Sequence, residues 1–257
     1  MVVFEVEVFK LFVVVLARFG GLMVSAPILG SANFPIIPKI GLAAMLSLIV
    51  TPLLPSLGEP LPDGIMALSA IAATELLIGL MIGFVMTIFF AALQIAGQII
   101  DMLSGFAMMN VFNPALETQV PVFGFFLYLI AVLYIFILNL HHLILKALVM
   151  SFDRIPPGGF VLNPELLGQV TLWGSAMFSV GLIIAAPIAG TLLVAYATMG
   201  ILSRLVPQIH IFVVGFPLTI AMALMLMAMM IGVYLDLLDV IFEDMFRNVD
   251  TAIRGMA

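Results

Sequence analysis

Residues 65–100 read IMALSAIAATELLIGLMIGFVMTIFFAALQIAGQII, 36 positions with a single charge, Glu75. As one helix rising 1.5 Å per residue the stretch would be about 54 Å long. About 20 apolar residues already cross a hydrocarbon core about 30 Å thick. The segment must therefore tilt strongly, bend or project beyond the hydrocarbon, and tilt alone absorbs little of such an excess.

Five more apolar segments flank it. Val8 to Ile28 ends in Ala26-Pro27 and is followed by a loop with Asn33, Pro35, Pro38 and Lys39. Ile40 to Leu57 is uncharged and stops in the Pro- and acid-rich stretch 52–64. After the long segment, Asp101 to Val120 reads as a loop, and Pro121 to Met150 is the fourth apolar run. Asn163-Pro164-Glu165 announces the fifth, with an N-cap residue, a proline suited to the first turn and an acid at the positive end of the helix dipole. That segment runs to Leu202 with a break expected at Pro187, and the sixth covers Ile209 to Phe242. The reading is an all-α integral membrane protein of about six long, partly broken helices in one domain.

Composition agrees: 65% of the 257 residues are hydrophobic and 9% charged, which places the chain outside the range of soluble domains. The net charge of -6 leaves no basic patch for a phosphate backbone, which excludes nucleic acid as a partner. The absence of cysteine excludes disulfides and thiolate metal sites. Glu5 and Glu7 precede Lys10, so the start reads as a retained first helix and not a secretory signal. If all six segments cross once, Lys10, Lys146, Arg154, Arg247 and Arg254 share one side, which puts both termini in the cytoplasm.

Each ionisable group inside an apolar segment needs a partner. Arg18 and Glu75 are the clearest cases, and they pair either within the chain or across a subunit boundary. Glu75, Gly79 and Gly83 follow at four-residue steps, so a carboxylate and two glycines share a face where backbones approach closely. Gly181, Ala185 and Ala189 repeat the small-residue pattern. Gln94, Gln98, Asp101 and Gly105 form a polar face that lines an aqueous passage or bonds a neighbouring helix, because lipid cannot satisfy it. His141 and His142 are about 100° apart on a helix and cannot both reach one metal. No HExxH, phosphate loop or nucleophile elbow is present. No catalytic, metal or cofactor site is expected. Asp236, Asp239 and Glu243 share a face of a solvated, amphipathic C-terminal helix, with four-residue ion pairs expected from Glu243 to Arg247 and Asp250 to Arg254. The methionines at 102, 108 and 109 suit a deformable seal.

Taken in order, Arg18 with Ala26-Pro27, Pro38-Lys39, Glu75 with Gly79 and Gly83, Gly97 with Asp101 and Gly105, and Pro114 resemble the FliR family of type III export-gate subunits. His142, Ser151, Arg204 with Pro207-Gln208, and Gly215 with Pro217 continue the pattern over nearly the whole chain. The resemblance implies a subunit of the bacterial inner membrane and flagellar basal body, with helices in bent hairpins and part of the assembly above the bilayer. It implies FliP and FliQ as partners, FlhB as a further one, and exported flagellar proteins in transit. The N-terminal part would be similar to FliP and residues 165–257 to FliQ. The family's pore plug falls on 104–117, with Phe106, Met108, Met109, Asn110, Phe112 and Asn113. Arg18, Glu75, Gly79, Gly83, Asp101 and Arg204 are then the intramembrane charges and packing positions. The other classes weighed are the equivalent injectisome subunit, a secondary transporter and an intramembrane enzyme.

Overall fold

The computed structural model describes residues 2–31, 34–54, 61–107, 121–206 and 211–257, apart from the side chains of 2–5 and 211–213. The described residues form helices and no strand: α1 (Val2–Ser25), α2 (Ile36–Val50, continued by a 3-10 turn at Thr51–Leu53), α3 (Ile65–Ser104), α4 (Val122–Ile137), α5 (Leu140–Arg154), α6 (Pro164–Leu205), α7 (Ile211–Met229) and α8 (Ile231–Arg254). Four spans are long and apolar enough to cross a membrane alone, and up to six if the bent pairs α4 with α5 and α7 with α8 each count as one. This is a multi-pass, all-helical membrane protein.

Several boundaries differ from those expected. α6 runs unbroken through Pro187 for 42 residues. A proline forfeits one backbone bond, and membrane helices tolerate that loss because nearby groups re-satisfy the backbone. Pro38 and Lys39 lie inside the first turn of α2, where a missing N–H costs nothing, and not in a loop. Asp101 to Ser104 end α3, so the loop expected from Asp101 begins later. The fourth segment is broken at Leu138-Asn139 by a 74° bend. Asn139 there adopts the left-handed conformation (φ 56°), which asparagine bears better than most residues. The sixth segment bends by 62° near Met230.

The chain gathers into two compact units, one of residues 1–88, 135–173 and 243–257, the other of 89–134 and 174–242. In the first, α1 and the start of α3 run in the same direction, since Lys10 meets Leu61 and Asp63, Arg18 meets Glu75, and Ser25 meets Thr87. Their backbones nearly touch. A Cβ on Gly79 would lie 2.9 Å from the Leu22 nitrogen, and one on Gly83 2.7 Å from that of Ala26. A Cβ on Gly21 of α1 would lie 2.8 Å from the Leu80 nitrogen. The Lys10 ammonium also holds the Asp63 carboxyl below the usual carboxylate range. Asn163 caps α6 as expected, its side chain accepting from the Glu165 N–H at 3.0 Å. The C-terminal tail closes on that cap through Val161 N–H to Met256 O and Asn163 N–H to Gly255 O, both 3.1 Å.

In the second unit the small-residue stripe of α6 packs as expected: Ala185 and Ala189 are buried, and a Cβ on Gly181 would meet the Ala92 carbonyl at 2.9 Å. Along α8, Asp236, Asp239 and Glu243 are exposed while Leu238, Ile241, Phe242 and Met245 are buried. Arg254 pairs with Asp250 (2.7 Å) as the spacing suggests. Arg247 instead pairs with Asp244 three residues back (2.6 Å), not with Glu243.

Close approach at Gly79 makes a sharp contrast testable. Gly79→Val should cost about 1 to 3 kcal/mol or more by overpacking backbone against backbone. Gly20→Ala, whose Cβ would meet nothing within 4 Å, should be neutral or gain about 0.5 to 1 kcal/mol from helix propensity. Thermal unfolding of the purified protein in detergent reads both.

Candidate functional site

Two polar constructions stand inside the apolar helices. The first, in the first unit, is built around Arg18, whose side chain is fully buried together with that of Glu75. The two charges meet within the chain: Arg18 Nε donates to Glu75 Oε2 at 2.5 Å. Nη1 donates to Ser151 Oγ and Nη2 to the Ile155 carbonyl, both at 2.8 Å. The guanidinium carbon lies 3.8 Å from the centre of the Phe152 ring, a cation–π contact. Glu75 uses its other oxygen to accept the Gly158 N–H at 3.1 Å. Gly158 itself has φ +84°, so the turn that presents this donor favours glycine. α1, α3, α5 and the 155–158 turn thus each supply a part.

In the sequence Ser151 stands out only as one landmark of a pattern, Pro156-Pro157-Gly158-Gly159 reads as a connector, and nothing marks Phe152, Ile155 or Gly158 as partners of Arg18 or Glu75. They lie 133 or more residues from Arg18, too far for spacing to connect them.

The second construction is the C-terminal end of α3, in the second unit. Asp101, nearly fully buried, accepts the N–H of Phe123 (3.1 and 3.2 Å to its two oxygens) and of Gly124 (3.4 Å). It therefore caps α4 from a different helix, where the dipole favours a carboxylate. Gly97, one turn earlier, permits this approach: a Cβ there would lie 2.7 Å from the Phe123 carbonyl carbon. Of the polar face read from the sequence, Asp101 and Gly105 are buried while Gln94 and Gln98 are exposed.

Side chains also take the last carbonyls of α3. Tyr196 donates to Leu103 O and Thr219 to Ser104 O, each at 2.8 Å. Gly105 follows with φ +95°, and the Phe106 ring packs edge-on against Phe123 at 5.5 Å. Nothing in the spacing of Tyr196 and Thr219 marks them for this role.

Of the expected plug residues, Phe106 is thus half-buried on α4, and Met108, Met109, Asn110, Phe112 and Asn113 lie outside the described residues. Pro114, Pro207 and Gln208 lie outside them too. Arg204 is exposed in the last turn of α6, where a cation suits the dipole. The rings of His141 and His142 are 4.2 Å apart. No group of three or more metal-ligating side chains gathers among the described residues.

The buried pair is open to a direct test. Arg18→Leu or Glu75→Leu alone strands a buried partner and should cost about 3 to 5 kcal/mol, whereas the double substitution should cost clearly less than the sum. Denaturant titration of the four proteins in detergent gives the coupling, and strict additivity would show that the pair is not energetically linked. Asp101→Ala leaves two buried N–H groups of α4 unpaired and should cost about 1 to 3 kcal/mol in the same assay.

Comparison with known proteins places these constructions in a family. Residues 9–245 match the family described as bacterial export proteins, family 1. The flagellar biosynthetic protein FliR of Escherichia coli (strain K12) is 34% identical over 232 residues, covering 90% of this chain and 88% of the relative. That of Bacillus subtilis (strain 168) is 32% identical, covering 89% and 88%. The Caulobacter vibrioides protein is 30% identical, covering 84% and 86%. With a match of this extent, the chain belongs to the FliR family of bacterial export proteins.

Proposed function

We propose that the chain is a core subunit of the flagellar type III export gate, helping to form and close the pore through which unfolded flagellar proteins leave the cell. The observation that carries this reading is the relationship to flagellar biosynthetic proteins along nearly the whole chain. The three relatives named are flagellar, which favours that branch over the injectisome subunit. The gate is passive and the chain has no enzymatic role.

Its partners in this reading are FliP and FliQ in a hetero-oligomer, with FlhB in addition. The N-terminal part takes a FliP-like place and residues 165–257 a FliQ-like one. The assembly belongs to the basal body in the inner membrane, with part of it above the bilayer plane, which gives α3 and α6, 40 and 42 residues long, room that a single bilayer crossing does not.

The closing element is the stretch from Ser104 to Glu117. Its base suits a movable plug, because Asp101, Tyr196 and Thr219 fix the end of α3 on which the stretch is mounted. Phe106, Met108, Met109 and Phe112 supply apolar bulk of the kind that suits a deformable seal.

Two measurements test this. Co-expression with FliP- and FliQ-like chains, extraction in mild detergent and native mass spectrometry should give a defined hetero-oligomer containing this chain. Recovery only as a monomer or homodimer beside well-expressed neighbours would favour a solute transporter instead. Deletion of Phe106 to Asn113 should raise the ion conductance of the assembled gate, and an unchanged leak would remove the plug assignment.

A further inference from the structure

A cleft of about 590 Å³ lies between α1 and α2 in the first unit, apart from both polar constructions. Its walls are apolar, with Leu16, Gly20 and Met23 on α1 and Ile36 and Ile40 on α2, and a single charged side chain, Lys39, lines it. Lys39 is the only lysine or arginine between Arg18 and Lys146. Its ammonium donates to the Ser31 carbonyl at 2.9 Å, using one of three N–H groups. No carboxylate lines the cleft or pairs with Lys39 among the described residues. In a chain of net charge -6, the ionic character of this one cleft is purely positive.

Its position adds a second constraint. Lys39 stands in the first turn of the apolar span Ile36–Leu53, and the ends of spans that cross a bilayer meet lipid headgroups. The flanking Ile36 and Ile40 are exposed, so the cleft opens at the surface of the chain between apolar side chains. The volume falls within the range of about 300 to 1,000 Å³ of sites that a small molecule enters, rather than a flat face that another helix lies against.

We infer that this cleft binds one anionic phospholipid, an acyl chain lying between α1 and α2 and the headgroup phosphate held by the Lys39 ammonium. Basic positions beside membrane helices recognise such headgroups by charge, and the apolar walls select for the attached chain over a free anion.

The test is native mass spectrometry of the full chain, delipidated in mild detergent and titrated with phosphatidylglycerol, phosphatidylethanolamine or inorganic phosphate. One phosphatidylglycerol should bind, favoured over phosphatidylethanolamine by about fivefold, the factor that one basic residue near an anionic surface supplies. Lys39→Gln should abolish that preference and Lys39→Arg should keep it. Gly20→Leu, at a position where an added Cβ meets nothing within 4 Å, should fill the cleft and lose both lipids while leaving the melting temperature unchanged or higher. Equal binding of the two lipids by the unaltered chain, or retained preference in Lys39→Gln, overturns the inference. So does saturation by inorganic phosphate with no lipid bound. A photoreactive residue placed at position 20 of the assembled complex should give a lipid adduct, and an adduct to a partner chain instead would also overturn it.

Discussion

A guanidinium and a carboxylate with no exposure to solvent are the constraint around which the first unit is organised. Removing two such charges from water costs several kcal/mol per ion, and their attraction offsets this only when the remaining donors and acceptors are also satisfied. Here every guanidinium nitrogen donates a bond and both Glu75 oxygens accept one, with Ser151, the Ile155 carbonyl and the Gly158 N–H as the further partners and the Phe152 ring against the guanidinium. Apolar helix faces alone can slide past one another at little cost. The pair cannot, because any other register of α1 against α3 would leave a buried charge without its partner. Its contribution is therefore to the uniqueness of the packing more than to its strength.

Short-range geometry and long-range charge depend on each other here. Arg18 reaches Glu75 through its Nε, near the base of the guanidinium, which requires the α1 and α3 backbones to be close. Glycines at 21, 79 and 83 provide that closeness, each facing backbone atoms of the other helix or of the turn after α1. A bulkier face would hold the helices apart and leave the ion pair stretched. The spacing of Glu75, Gly79 and Gly83 on one helical face is thus a single device, with the acid as register mark and the glycines as clearance.

Much of this could be read from residues in sequence because the relevant forces are local or compositional. Span length follows from composition, and the Glu75-Gly79-Gly83 face and the Asn163-Pro164-Glu165 cap each lie within about two turns of helix. What escaped was set by tertiary context. Pro187 carries the same local signal as a break, yet the apolar surroundings of α6 let the helix continue. Asn139 looks ordinary in sequence, and only the left-handed backbone it adopts breaks the fourth segment. Arg247 had two acids within reach and took the one at three residues' spacing. Arg18 and Glu75 were recognisable as charges in need of partners, but Ser151 and Gly158 enter from distant parts of the chain.

The end of α3 shows how a fixed mount can serve a movable segment. A helix leaves its last carbonyls without intrahelical partners, and in an apolar setting these would ordinarily bind the chain that follows. At Leu103 and Ser104 the hydroxyls of Tyr196 and Thr219 take that role instead. Asp101 meanwhile is committed to the N–H groups of α4. A displacement of the chain beyond Gly105 therefore need not expose a helix end or a buried carboxylate. Among the described residues, what holds the chain at this end is the edge-on contact of Phe106 with Phe123, worth about 0.5 to 1.5 kcal/mol beyond the area buried, and the Phe106 N–H bond to Ser104 Oγ at 3.5 Å. If the segment is the gate's closing element, the hydroxyls of two other helices are what allow it to open without unravelling the helix that carries it.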